Sequence, residues 1–298
     1  MIKFVRPLLV AAALFLGSAA WAQPVPVVAS FSILADVAQS IGGERIKVES
    51  LVPINADAHS YALTPTDLRK IRAARLLLVN GLGFENAAVM RAMQGSKIPL
   101  AVVSKGVETL KVNDGHGHDE TDPHVWQDPV RMQTYARHVA EALMQADPAS
   151  KAHYTQRLAN YQRELQQLHT WAQQQFAAVP VAQRKVLTAH DAFAYLGARY
   201  QVDFVAPLGA NASGDASAKT VARIIQQVRQ QKVRAVFLEN VKDARLVQQL
   251  ARETGLAVHR QPLYSDALSA PQSVAPNYLQ LMRHNIGAIA GALRAAGK

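Results

Sequence analysis

The stretch "DPASKAHYTQRLANYQRELQQLHTWAQQQFAAVP", Asp147 to Pro180, decides the fold. Tyr154, Leu158, Tyr161, Leu165, Leu168, Ala172 and Phe176 recur at steps of three and four, which puts them on one face of a helix. Asp147 can cap such a helix, Pro148 suits its first turn, and Pro180 stops it. A helix of roughly 30 residues would reach about 45 Å, the scale of a small domain. The stretch therefore reads as a rigid strut over 147–179, and it predicts restricted motion of whatever it joins.

On either side of the strut, β-branched runs alternate with helical patterns. Before it come "VPVVAS" and "ILADVAQSIGG", "KVESLVP" and "TPTDLRKIRAA", "LLLVN" and "FENAAVMRAMQG", then "IPLAVV" and a histidine-bearing loop. Thr64-Pro65 reads as a helix start, and Gly42-Gly43 as a stop. After it come "KVLTAH", "VDFVAP", "AVFLEN" and "AVHRQPL", each followed by a helical segment, the last near "NYLQLMRHNIGAIAGAL". Strand-helix alternation of this kind builds parallel sheets covered on both faces. The expected fold class is α/β, with two similar parallel-sheet lobes (23–146 and 180–298) joined by one long rigid helix.

Composition narrows the setting. The 298 residues are 49% hydrophobic and 18% charged, with no cysteine, which removes disulfides and thiolate metal sites. Residues 1–22 read as a signal peptide: Lys3 and Arg6, an apolar run from Leu8 to Leu16, then Ala20-Trp21-Ala22 before a cleavage point. The expected location is the periplasm. The net charge of +10 is scattered and lacks a basic block interleaved with aromatics, so no nucleic-acid partner is expected. There is no H-E-x-x-H, no G-x-S-x-G and no phosphate-cradling glycine loop, and no enzymatic activity is expected.

Ligands in open parallel sheets bind beyond the carboxyl ends of the strands. Four metal-capable residues fall there: His59 and His124 in the first lobe, His190 and Asp266 in the second. Two from each lobe place a metal site in the inter-lobe cleft. Glu239, closing "AVFLEN", is the reserve ligand should Asp266 cap a helix instead. Asp191 is either an orienting neighbour of an imidazole or a helix cap. His138, His153, His169, His259 and His284 read as structural or surface groups.

In this order, "DAHSYALTPTDLRKI", "DPHVWQDP", "TAHDAFAYLGARY", "VFLEN" and "PLYSDAL" resemble the zinc and manganese cluster of substrate-binding proteins from bacterial ABC importers. The resemblance covers essentially the whole chain after the signal segment. It implies two lobes holding one ion through the positions of His59, His124, His190 and Asp266, a monomer, and an ABC transporter membrane permease as partner. Three imidazoles and a carboxylate suit Zn2+ better than Mn2+, which prefers more oxygen, although relatives with this ligand pattern bind both. A shell of four protein ligands also suits holding an ion rather than hydrolysis. His116 and His118 resemble a shortened form of the histidine-rich loop found before "DPH" in zinc-importing relatives: either an auxiliary capture element or a solvated Gly and His loop. An adhesin-like interaction protein on the same scaffold is the alternative from another class.

Overall fold

A computed structural model describes residues 23–113, 119–210 and 217–297. The expectations for the signal segment and for His116 and His118 lie outside those residues.

The first sheet is built from β1 (Val25–Phe31), β2 (Ile46–Val52), β3 (Leu76–Val79) and β4 (Leu100–Val102), all parallel, in the order β2-β1-β3-β4. Alternation in β1 serves two layers: Val27, Ala29 and Phe31 enter the main core, while Val28 enters a smaller cluster with Leu51, Leu77 and Val79. On one side α1 (Ser32–Gly42) buries Ile33, Leu34, Val37, Ala38 and Ile41. Gly43 ends it at φ 56, a left-handed conformation that a side chain would strain. On the other side lie α2 (Pro65–Ala73) and α3 (Ala87–Gly95), which contribute Ile71, Val89 and Met93. The Thr64-Pro65 start is a full capping box: Thr64 Oγ1 accepts from Asp67 N–H, and the Asp67 carboxylate accepts from Thr64 N–H.

The histidine-bearing segment is more ordered at its flanks than its composition suggests. Short strands β5 (Lys111–Asn113) and β6 (Asp119–Thr121) pair antiparallel around it. After them α4 (Pro129–Ala146), capped by Asp128, packs along α1 and the strut. The strut itself, α5, runs Lys151–Ala177, 27 residues or about 40 Å. It starts later than Asp147 because Pro148–Ser150 forms a separate 3-10 turn. Asp147 closes α4, and its carboxylate accepts the Tyr154 hydroxyl at 2.9 Å. The expected face is the buried one: Tyr154, Tyr161, Leu165, Leu168, Ala172 and Phe176 are buried and Leu158 is partly so.

The second sheet is smaller than the first. β7 (Lys185–Leu187), β8 (Asp203–Val205) and β9 (Ala235–Val236) pair in parallel in the order β8-β7-β9. The "AVHRQPL" run is reduced to isolated bridges, Val236 to Val258 and Glu239 to Leu263. Helices α6 (Ala194–Tyr200), α7 (Ala218–Gln231) and α8 (Ala244–Thr254) surround the sheet, with Ile224, Val228, Val247 and Leu250 against Leu187, Val205 and Val236. The last helix, α9 (Tyr278–Ala295), returns to pack on α5, where Arg283 lies over the Trp171 ring and Arg294 donates to the Gln175 carbonyl.

One hydrophobic cluster runs through both halves. It links Phe31, Trp126 and Tyr135 on the first side to Phe193, Tyr195, Leu263 and Tyr278 on the second, with α5 between them. At its centre Trp126 and Gln127 both donate side-chain N–H groups to the Ser265 carbonyl, at 2.8 and 2.9 Å. The Tyr278 hydroxyl donates to the Trp126 carbonyl at 2.7 Å. No helix among the described residues is long and apolar enough to cross a membrane.

Candidate metal centre

His59 lies between β2 and α2, His124 follows β6, His190 follows β7, and Asp266 follows the Glu239–Leu263 bridge. All four side chains converge between the sheets, buried, with one donor atom from each within 4.8 Å of the others. The Asp266 carboxylate is the hub. Its Oδ2 is 3.6 Å from His59 Nε2 and 3.2 Å from His190 Nε2, and its Oδ1 is 3.4 Å from His124 Nε2. Donors on a tetrahedron with bonds of about 2.1 Å stand about 3.4 Å apart, so the spacing fits one first-row cation. The three Nε2 atoms and both Asp266 oxygens are buried without a hydrogen-bond partner. Orphaned buried polar atoms are costly, and five converging on one point are what a cation would satisfy.

Behind this cluster is a layer of carboxylates. Asp122 Oδ1 accepts the His124 backbone N–H at 2.8 Å and meets its Nδ1 at 2.7 Å. Glu239 Oε2 meets His190 Nδ1 at 2.6 Å, and its Oε1 accepts the N–H groups of Ala189 and His190 at 2.7 and 3.0 Å. With a proton on each Nδ1 donated to the carboxylate, Nε2 is the nitrogen that turns its lone pair to the centre once the ring is neutral. Glu239, the reserve ligand by sequence, thus stands behind His190, with both oxygens engaged by the ring and the backbone, and lies outside the group of converging donors. Asp191 neither binds an imidazole nor caps α6, whose N-cap residue is Phe193.

Residues 27–292 match the family of the periplasmic component A of a zinc-uptake complex, ZnuA. The chain belongs to the ZnuA family. The iron-binding protein YfeA of Yersinia pestis is 30% identical over 269 residues, covering 90% of this chain and 86% of its own. The manganese-binding lipoprotein MntA of Halalkalibacterium halodurans is 28% identical over 264 residues, covering 89% and 87%. Among solved structures, the periplasmic zinc-binding protein TroA of Treponema pallidum superposes with a TM-score of 0.82 at 27% identity, covering 91% of this chain and 99% of TroA. A manganese-bound periplasmic metal-binding protein of Candidatus Liberibacter asiaticus gives 0.83 at 28%, covering 90% and 98%. As a ZnuA-family chain, this is a metal-binding substrate-binding protein of an ABC transporter and not an enzyme.

Electrostatics divides the three histidines of this ZnuA-family centre. Burial drives His59 down to about 3, more than the pull of Asp266 restores, so its ring is neutral. Burial also opposes charge on His124 and His190, but carboxylates on both sides of each ring outweigh it. Asp122 and Asp266 raise His124 to about 9; Glu239 and Asp266 raise His190 to about 10. Asp266, although burial disfavours its charge, is held well below the usual carboxylate range by those two imidazoliums.

Asp122 was absent from the sequence reading, yet a signal for it exists. The pattern Asp-x-His occurs at Asp57-Ala58-His59 and again at Asp122-Pro123-His124, and in both the aspartate Oδ1 accepts the histidine backbone N–H, at 2.9 and 2.8 Å. The other histidines among the described residues have partners elsewhere: His138 meets the Val103 carbonyl, His153 that of Gly42 and His284 that of Pro262, His169 meets the Tyr200 hydroxyl, and His259 Nδ1 accepts the Gln261 N–H.

Glu239→Gln tests the support layer. An amide keeps the shape but weakens the hold on Nδ1 and the basicity of the ring, so metal affinity should fall about 10–100-fold in titration calorimetry. Unchanged affinity would remove Glu239 from the centre's function.

Proposed function

We propose that this chain captures one divalent transition-metal ion in the periplasm with His59, His124, His190 and Asp266, and delivers it to the membrane permease of an ABC importer. Zinc is the proposed cargo. The observation that carries the reading is the convergence of five buried donor atoms without hydrogen bonds, three imidazole and two carboxylate, on one point between the sheets. A nitrogen-rich shell of four ligands suits a borderline cation such as Zn2+. In the same proposal, residues 1–22 direct export and are cleaved after Ala22. Residues 23–146 and 180–298 form the two lobes about the 147–179 strut, the protein acts as a monomer, and His116 and His118 assist capture.

Titration of the purified protein does not discriminate cargo, because the affinity order favours zinc over manganese at any such site. The load acquired in the cell does. Protein recovered from periplasm without chelators is expected to carry close to one zinc per chain, with manganese below about a tenth of that, by mass spectrometry. A predominantly manganese or iron load would overturn the zinc assignment while leaving the site intact.

A further inference from the structure

The two Asp-x-His motifs use their aspartates differently. Asp122 gives its Oδ1 to both the backbone and the ring of His124. Asp57 gives Oδ1 to the backbone N–H of His59, but its Oδ2 is taken by Lys242 Nζ at 2.8 Å. Lys242 stands on the opposite side of the cleft, between β9 and α8, three residues after Glu239. The ion pair is sheltered, with side-chain exposure of 6% for Lys242 and 17% for Asp57. Among the described residues no carboxylate binds His59 Nδ1, so packing against Phe84, at 5.0 Å between ring centroids, and the backbone grip of Asp57 position this imidazole.

The loop that carries His59 is otherwise tied across the cleft by neutral bonds. Asn55 N–H donates to the Leu268 carbonyl at 3.0 Å, and Asn240 Nδ2 donates to Asn55 Oδ1 at 3.2 Å. Lys242 to Asp57 is the charged link in this set. A charge-assisted bond in a sheltered place is roughly twice as strong as a neutral one and orients its partner.

We propose that Lys242 is a positioning residue that clamps Asp57 from across the cleft and so holds His59 on the bound ion, setting the rate at which the ion leaves. The inference rests on His59 being a ligand, as proposed above. Parting of the two sides at this point breaks the clamp first, and the imidazole without a carboxylate behind its ring is the one set loose. His124 and His190 keep their carboxylates whichever way the cleft moves, because Asp122 stays beside His124 and Glu239 stays on the side of His190.

The sign of the effect separates this role from simple repulsion. An ammonium near a cation site, acting through its charge alone, would hasten departure, and removing it would slow release. The clamp requires the opposite. Zinc-loaded protein is mixed with excess EDTA and the release rate followed, with the association rate and the metal-free melting temperature measured in parallel. Lys242→Met is expected to release zinc about tenfold faster or more, with association within twofold and the metal-free melting temperature within a few degrees of wild type. Lys242→Arg should restore most of the retention. Asp57→Asn, which keeps an oxygen for the His59 N–H but loses the ion pair, should match Lys242→Met, and the double variant should be no faster than either. Unchanged or slower release, additive effects in the double variant, or a matching loss of metal-free stability would each overturn the clamp. Failure of the wild-type protein to bind zinc at all would overturn the metal-site reading, and the clamp with it.

Discussion

Asp266→Asn is expected to weaken zinc binding by about a thousandfold. Its two oxygens face all three Nε2 atoms at 3.2 to 3.6 Å, and the whole group is buried. The amide preserves shape and offers one oxygen, so the loss isolates the charge and the second donor. Removing one partner from a buried charge pair costs about 3–5 kcal/mol, and about 1.4 kcal/mol is a factor of ten. The effect is also legible in stability. Wild type should gain about 4 kcal/mol when free zinc is a thousandfold above its dissociation constant; at that same concentration the variant, binding a thousandfold more weakly, gains only about 0.4 kcal/mol. The zinc-induced rise in melting temperature therefore nearly vanishes. An undiminished rise would show that the ion is held elsewhere.

Zinc uptake near neutral pH is expected to release two protons, and the apparent affinity to climb about 100-fold between pH 7 and 8. The reason is the charge on the centre before the ion arrives. His124 and His190, held up to about 9 and 10, carry protons that a cation must displace, whereas His59, driven down to about 3, carries none. Each displaced proton contributes a factor of ten per pH unit. The steep rise continues toward pH 9 and levels off near 10, well above the value of about 6.5 that ordinary imidazoles would give. Two positive charges leave as two arrive, so the buried centre keeps its charge balance. Calorimetry in buffers of differing ionisation enthalpy counts the protons, and one or fewer per ion would contradict the assignment.

Linkage fixes the direction for the metal-free protein as well. Raised imidazoles stabilise the fold fully below about 6.5 and lose that contribution as pH rises through 9 to 10, so metal-free stability declines over that range. The depressed His59 acts in the other direction, because the unfolded chain takes up its proton as pH drops below about 6.5.

Much of this was readable from residue order, and the limits have physical causes. Periodicity from Tyr154 to Phe176 gave the strut because one buried face repeats at helical spacing. The convergence of His59, His124, His190 and Asp266 was readable because strand ends in parallel sheets meet at one edge. The division of labour among carboxylates was less accessible. Glu239 is separated from His190 by 49 residues, and only the pairing of β7 with β9 brings them to 2.6 Å. Asp122 was nearer to hand, two residues before His124, but a loop aspartate is so often a turn former that its second bond to the ring had no separate trace in sequence. The hairpin β5–β6 was hidden for a related reason: three-residue strands flanking a Gly and His segment carry too little alternation to register. In the second sheet, the run expected as a fourth strand bends after each bridge and makes only isolated pairs.

The Ser265 carbonyl, gripped at once by Trp126 and Gln127, has a consequence for how ions are acquired. The residue beside it is Asp266, so the central carboxylate of the proposed site is moored to the far half of the molecule by neutral bonds that no cation needs to form. Conformational entropy is thus surrendered at synthesis, when the polypeptide folds, and not at each encounter. Capture then draws on preorganisation: a dilute cation finds its coordination geometry waiting, and binding strength reflects dehydration and bond formation more than the ordering of loops.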